Sequence, residues 1–84
     1  MKVDNRIEYG QYIVSDPEIC GGRLTFKGTR IFVNDVLDMV AQGMAWNEIT
    51  ETWFGRVSHA AIAEAVRLAN EALLEKDEMQ RRAA

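Results

Sequence analysis

Along the 84-residue chain the apolar positions change rhythm near residue 33. Before that point they come in short runs broken by glycine: Tyr12-Ile13-Val14, then Leu24-Thr25-Phe26, then residues 29–33. Short runs rich in β-branched and aromatic residues predict strands. Lys27-Gly28 separates the last two runs with glycine second, which suits a tight hairpin of 24–26 against 29–33. Between the strands, Ser15-Asp16-Pro17-Glu18 predicts one helical turn over 17–20. Asp16 can accept from the first free amides, Pro17 fits the first helical position, and Gly21-Gly22 stops the turn.

From Asn34 onward the spacing is helical. Val33, Val36, Leu37 and Val40 fall at i, i+3, i+4 and i+7, with Asn34 as the expected cap and Gly43 as the stop. Trp46, Ile49 and Trp53 predict a second, short helix over 45–53, with a weak start because Ala45 offers no side-chain acceptor. Ser58 is the expected cap of a long helix over 59–77. Its core stripe is read as Ile62, Ala65, Val66, Ala69 and Leu73. Glu64, Arg67, Glu71 and Glu75 form the opposite, solvated face, with Arg67 pairing Glu64 and Glu71. The predicted fold is mainly α with a small β part. An N-terminal β-ribbon region, 1–33, packs as one domain with a three-helix helix-turn-helix region, 34–77. Residues 1–6 are read as a loose end and 78–84 as a frayed tail.

Size and charge narrow the functional classes. A chain this short hides only about 60–65% of its unfolded surface on folding, so a second copy would help it. Ala61, Leu68 and Ala72 widen the apolar stripe of the last helix on one flank and are the expected dimer interface. Residues 1–33 carry five basic and four acidic groups, a net of +1, whereas residues 34–84 carry five basic and nine acidic, a net of −4. Phosphate contacts dominate affinity for nucleic acid, so any such contacts are expected from the N-terminal half. With one cysteine, Cys20, and one histidine, His59, an all-protein Cys/His zinc site is not available. No metal site, cofactor or enzymatic activity is expected, and no glycine-rich phosphate loop is present. No apolar run reaches the length of a membrane span. The mixed residues 1–12 suggest no signal peptide, and a cytoplasmic address is the expectation.

Helix-turn-helix units place the start of their last helix in the major groove, here Ser58 and His59. Arg23, Lys27 and Arg30 would supply phosphate or partner contacts, and Thr29 a turn hydrogen bond or strand contact beside them. For Arg30 an internal pair with Asp16, Glu18 or Asp35 is an equal alternative. Gly21, Gly22 and Gly28 read as backbone requirements, Cys20 as a small buried hydrophobe, and Trp46 and Trp53 as core.

The run Ile13-Val14-Ser15-Asp16-Pro17-Glu18-Ile19-Cys20-Gly21-Gly22-Arg23, followed by Lys27-Gly28-Thr29-Arg30-Ile31, Asn34-Asp35-Val36-Leu37 and Gly43-Met44, resembles domain-of-unknown-function family 433. Its members are small proteins similar to VapB-type antitoxins, and the resemblance spans about residues 7–75. It departs from the family pattern at Leu24 and Phe32, where members usually carry proline, and at Ala45-Trp46, where a Ser or Thr cap usually begins the second helix. The resemblance implies a short β-region before a homeodomain-like helix-turn-helix, and a neighbouring PIN-like ribonuclease toxin. The functional expectation is then an antitoxin-like homodimer that neutralises its cognate PIN-like toxin by occluding an acidic site and binds its own promoter DNA. The alternative is a stand-alone DNA-binding regulator, or a protein–protein adaptor, without a toxin.

Overall fold

A computed structural model of the chain describes residues 5–83. Three short strands, β1 (Ile7–Tyr9), β2 (Ile13–Ser15) and β3 (Leu24–Phe26), form an antiparallel sheet in the order β1-β2-β3. Three helices follow: α1 (Val33–Ala41), α2 (Trp46–Thr52) and α3 (His59–Ala83). The fold is therefore mainly α with a small β part, as the change of rhythm near residue 33 predicts.

The sheet differs from the expected ribbon. Its first strand, 7–9, follows the residues read as a loose end and precedes the first expected run, and the tightest hairpin joins β1 to β2 across Gly10, Gln11 and Tyr12, pairing Tyr9 with Ile13 and Ile7 with Ser15. The Lys27-Gly28 turn is present: Thr29 N–H donates to the Phe26 carbonyl at 3.0 Å, and Phe26 N–H to that of Ile31 at 3.1 Å. The return strand of that turn, however, is reduced to a single bridge between Thr25 and Phe32. Helix α1 begins at Val33, immediately after it, and takes the backbone that would have extended the pairing. The expected helical turn at 17–20 is also replaced. Asp16 holds a tight turn, its Oδ1 accepting from Glu18 N–H at 2.9 Å. Cys20, Gly21 and Gly22 then all take positive φ, a geometry two glycines allow cheaply and Cys20 does not.

In α1 the residue before the helix is Phe32, with no side-chain cap; Asn34 lies inside the first turn. Helix α2 compensates for Ala45 from within: Glu48 Oε1 accepts from Ala45 N–H at 3.3 Å. Ser58 caps α3 as expected, its Oγ accepting from Ala61 N–H at 3.1 Å.

The core lies where the sheet, α1, α2 and the first turns of α3 meet: Ile13, Phe26, Val36, Ile49, Val57 and Ile62 are all buried. Only the first turns of α3 are covered, through Ala61, Ile62, Glu64 and Ala65. Ala61 is thus interior and not available to a second copy, a correction to the flank read from the sequence. Ala69, Val66 and Leu73, assigned to the core stripe, are exposed. The stripes 62-66-69-73 and 61-65-68-72 are both apolar, and the fold buries the start of the second together with Ile62. Helix α3 continues past 77 to Ala83, with Arg81 on Asp77 at 2.9 Å and Arg82 on Glu78 at 2.6 Å. Glu-to-Lys/Arg pairs of this i,i+4 polarity support a helix in water.

Candidate interaction surfaces

Two surfaces carry the residues singled out by sequence, and one buried carboxylate organises the space between them. Glu64, expected on the solvated face, is 4% exposed. Its carboxylate accepts from Gln11 N–H at 3.0 Å and Tyr12 N–H at 2.8 Å. These are the amides at the tip of the β1–β2 hairpin. Arg67 stands 3.6 Å from the same carboxylate and 4.0 Å from Glu71. Gly10 makes this latch possible: its φ is +77°, and a Cβ there would sit 2.6 Å from the Glu64 carboxyl carbon. The hairpin is thereby tied to α3, although nothing in its own sequence requires that contact.

The latch leaves a groove of about 400 Å³ beside α3. Tyr9, Ile13 and Leu24 of the sheet and Val33 and Leu37 of α1 form one wall. Leu68, Ala69 and Ala72 of α3 form the other, and Glu71 and Glu75 stand at its edge. Two of the three expected interface residues, Leu68 and Ala72, line this groove. Tyr9 and Leu24 stay more than two-fifths exposed beside it. Every residue of α3 from Ala69 to Ala83 is exposed, including Leu73, Leu74 and Met79. Twenty-five residues of helix extend about 37 Å, more than the small core can cover.

The residues proposed for nucleic acid or a partner do not form one cluster. Ser58 is used as the cap of α3. His59 is exposed, with its ring edge-on to Trp46 at 6.1 Å. Arg23 lies over the Phe32 ring, 3.8 Å from its centroid, and donates to Asn34 Oδ1 at 3.2 Å. A stacked guanidinium of this kind keeps its charge at the surface while its plane is held. Lys27 is engaged by Glu8 at 3.3 Å and by the Gly10 carbonyl at 3.2 Å. Thr29 is a turn residue: its Oγ1 donates to the Phe26 carbonyl and accepts from Ile31 N–H. Arg30 is exposed and makes no ion pair among the described residues, so the expected internal pair with Asp16, Glu18 or Asp35 is not formed. Among the described residues, no hydrogen bond, ion pair or ring contact joins this group to Ser58 and His59.

Three surface features escaped sequence reasoning. Phe54, in the turn between α2 and α3, is 90% exposed at a φ of +55°. Arg56, two residues further, is exposed just before the start of α3. The third is the groove itself, which depends on the fold and has no local signature. Among the described residues no group of three or more His, Cys, Asp or Glu side chains is placed to hold a metal ion. No described helix is long and apolar enough to cross a membrane.

Comparison with known proteins gives one match: residues 13–69, more than half of the chain, match the family described as Protein of unknown function (DUF433). No curated protein matches this chain, and no solved structure does.

Proposed function

The chain belongs to the DUF433 family, whose description assigns no activity, and from that premise we propose that it is a non-catalytic binding protein of antitoxin type. It acts as a homodimer, neutralises a cognate PIN-like ribonuclease by binding it, and binds its own promoter DNA. The observation that carries the protein-binding half is the projecting part of α3, where Leu73, Leu74 and Met79 are each at least 60% exposed on a helix that the rest of the chain does not cover. A run of exposed large apolar side chains on an ordered element supports an interaction surface, and apolar anchors on one helix suit a groove in a partner. Leu74 is turned about 200° around the helix from Ala72, whereas Met79 continues the line of Ala72 itself, so a partner on the outer face takes Leu74 and leaves the groove open.

The DNA half draws support from the tight α2–α3 connection and from Arg56 and His59, both exposed at the start of α3. Helices in this position enter the major groove, with phosphate contacts setting position and base contacts setting preference. Among the described residues Arg30 makes no ion pair, so it and Arg56 are the expected phosphate contacts.

The test is co-expression with the product of the adjacent reading frame. The reading expects a co-purifying complex that lacks ribonuclease activity, and expects Leu73→Ser with Leu74→Ser to weaken it at least tenfold while the circular dichroism stays unchanged. Absence of binding and of inhibition by the wild-type chain would end the toxin reading. For DNA, a titration on the upstream sequence at several salt concentrations compares wild type with Arg30→Ala and Arg56→Ala. Each lost phosphate contact lowers the slope of log K against log salt by about 0.9, or about twice that in a symmetric dimer. A wild-type chain with no binding at low salt removes DNA from the proposal.

A further inference from the structure

One edge of the sheet is continued by the chain itself, and the other is open. Beyond β3 the chain returns through the Thr25–Phe32 bridge into α1. At the opposite edge β2 pairs with the inner side of β1, and among the described residues no strand pairs with its outer side. Ile7, Glu8 and Tyr9 are all exposed. An open row of backbone N–H and C=O groups accepts a further strand. We propose that this strand is β1 of a second copy, antiparallel about a two-fold axis through Ile7, so that two three-stranded sheets become one of six. This deepens the homodimer clause of the proposed function and rests on it. It places the contact at the sheet edge and not on the flank of α3.

Charge and register together select a second copy as the occupant. Arg6 and Glu8 project from the same face of the strand, 3.2 Å apart. Ile7 projects from the other face, with Ser15 and Leu24. Residues directly opposite in an antiparallel pair share a face. A two-fold axis between identical strands therefore passes through a residue that faces its own copy. An axis through Arg6 or Glu8 sets like charges against each other. An axis through Tyr9 sets Glu8 against the partner's Gly10 and runs the pairing into the hairpin tip that Glu64 holds. An axis through Ile7 sets Arg6 opposite the partner's Glu8 and Glu8 opposite the partner's Arg6, with Ile7 against the partner's Ile7 on the other face. Opposite charges directly across strands attract and like charges repel, so of these registers the one centred on Ile7 is self-complementary. Charges of one sign would guard such an edge against its own copy, whereas alternating signs fit it. The Arg6–Glu8 pair within one strand is exposed, so exchanging it for two pairs across the seam costs little. Ile7, half exposed in a single chain, is covered by its copy. Three-residue strands are marginal in isolation and gain from a wider sheet, and an isologous contact of this kind closes on itself.

Sedimentation equilibrium between about 1 and 100 µM measures association of the full chain, with circular dichroism as the control for folding. The wild-type chain is expected to be a dimer. Glu8→Arg sets like charges across the seam twice and is expected to weaken association at least about fivefold. Combining it with Arg6→Glu restores both opposite-sign pairs and is expected to recover the wild-type constant within about threefold. Cross-linking reads the register directly, in a Cys20→Ser background that removes the one native cysteine. Ile7→Cys is expected to give a disulfide-linked dimer under mild oxidation, because residues facing each other across antiparallel strands have Cα atoms about 4.5–5.5 Å apart, within disulfide range. Tyr9→Cys is expected to give none, since its own copy lies four residues, about 13 Å, along the seam. A monomer at every concentration overturns the proposal and the homodimer clause together. A dimer that Ile7→Cys fails to link, that Tyr9→Cys links instead, that Glu8→Arg leaves unchanged, or whose weakening Arg6→Glu fails to rescue overturns the β1 seam and leaves the homodimer clause standing.

Discussion

Removing the Glu64 carboxylate is the perturbation most informative about this fold, because the contact is long-range and deeply buried. Glu64→Ala strips the acceptor from two backbone N–H groups at the hairpin tip, Gln11 and Tyr12. Hydrogen bonds to a charged group contribute roughly 1.5–3 kcal/mol each, so the gross loss is about 3–6 kcal/mol. Two effects reduce it. Gln11 is exposed and Tyr12 half-buried, so the freed amides regain some water, and the mutant no longer buries a carboxylate. A net loss of about 2–3 kcal/mol is expected. At roughly 0.05–0.15 kcal/mol per residue the whole chain has about 4–13 kcal/mol to lose, so the midpoint of thermal unfolding should fall by about 10–20 °C.

Glu64→Gln should cost less, about 1–2 kcal/mol, because one amide oxygen still accepts while its NH₂ faces a second donor. Chemical and thermal unfolding measure the loss, and hydrogen exchange at the Gln11 and Tyr12 amides localises it. The same geometry predicts coupling to Gly10. Gly10→Ala in the wild-type chain meets both the left-handed φ and the Glu64 carboxyl group at 2.6 Å; in the Glu64→Ala background only the φ penalty of about 1–2 kcal/mol remains. A Glu64→Ala chain within 0.5 kcal/mol of wild type, with both amides still protected, would refute the latch.

Two smaller predictions follow from groups that sit poorly where they are. Thr25 is fully buried and its Oγ1 has no hydrogen-bond partner; Thr25→Val keeps the branched shape and should stabilise the chain by about 1 kcal/mol, read from the urea midpoint, with a loss of stability contradicting the unsatisfied hydroxyl. Phe54 holds a φ of +55° with 90% of its surface exposed, so Phe54→Gly should raise stability by about 0.5 kcal/mol, the relief of left-handed strain exceeding the added entropy of glycine; a loss above 1 kcal/mol would mean the ring packs against the α2–α3 turn.

Helices were legible because their signal is periodic and local. Ser58 announces the start of α3 to the residue, and Val33, Val36 and Leu37 announce α1, although its cap position is Phe32, two residues before the expected Asn34. Strand β1 was not, because Arg6-Ile7-Glu8-Tyr9 offers only two apolar residues and owes its strand geometry to pairing with β2. The second arm of the Lys27-Gly28 hairpin was over-read for the converse reason. Residues 29–33 have the composition of a strand, yet α1 captures Val33 and leaves one bridge. Glu64 is the clearest failure. Flanked by Arg67 and Glu71 at helical spacing, it reads as one member of a solvated charge network, and that network does form. The acceptor role appears only once a turn more than fifty residues away in sequence presents two amides to it. The candidate contact residues fared unevenly for a similar cause. Arg23 and Lys27 were recognisable as cations, but their engagement by Phe32 and Glu8 depends on tertiary placement.

The length of α3 ties these observations to function. In proteins most of a helix's stability comes from packing an apolar face. Here packing covers only the first part of the helix, while strong helix formers and the Asp77–Arg81 and Glu78–Arg82 pairs carry it onward to Ala83. The expected end at 77 followed the polar composition of the tail, whereas the apolar face loses its partner within the chain already at Ala69. A helix that persists beyond its own core keeps its side chains in register without burying them. It therefore presents Leu73, Leu74 and Met79 as an ordered surface, and a partner that binds there meets a preformed helix with little conformational entropy left to lose.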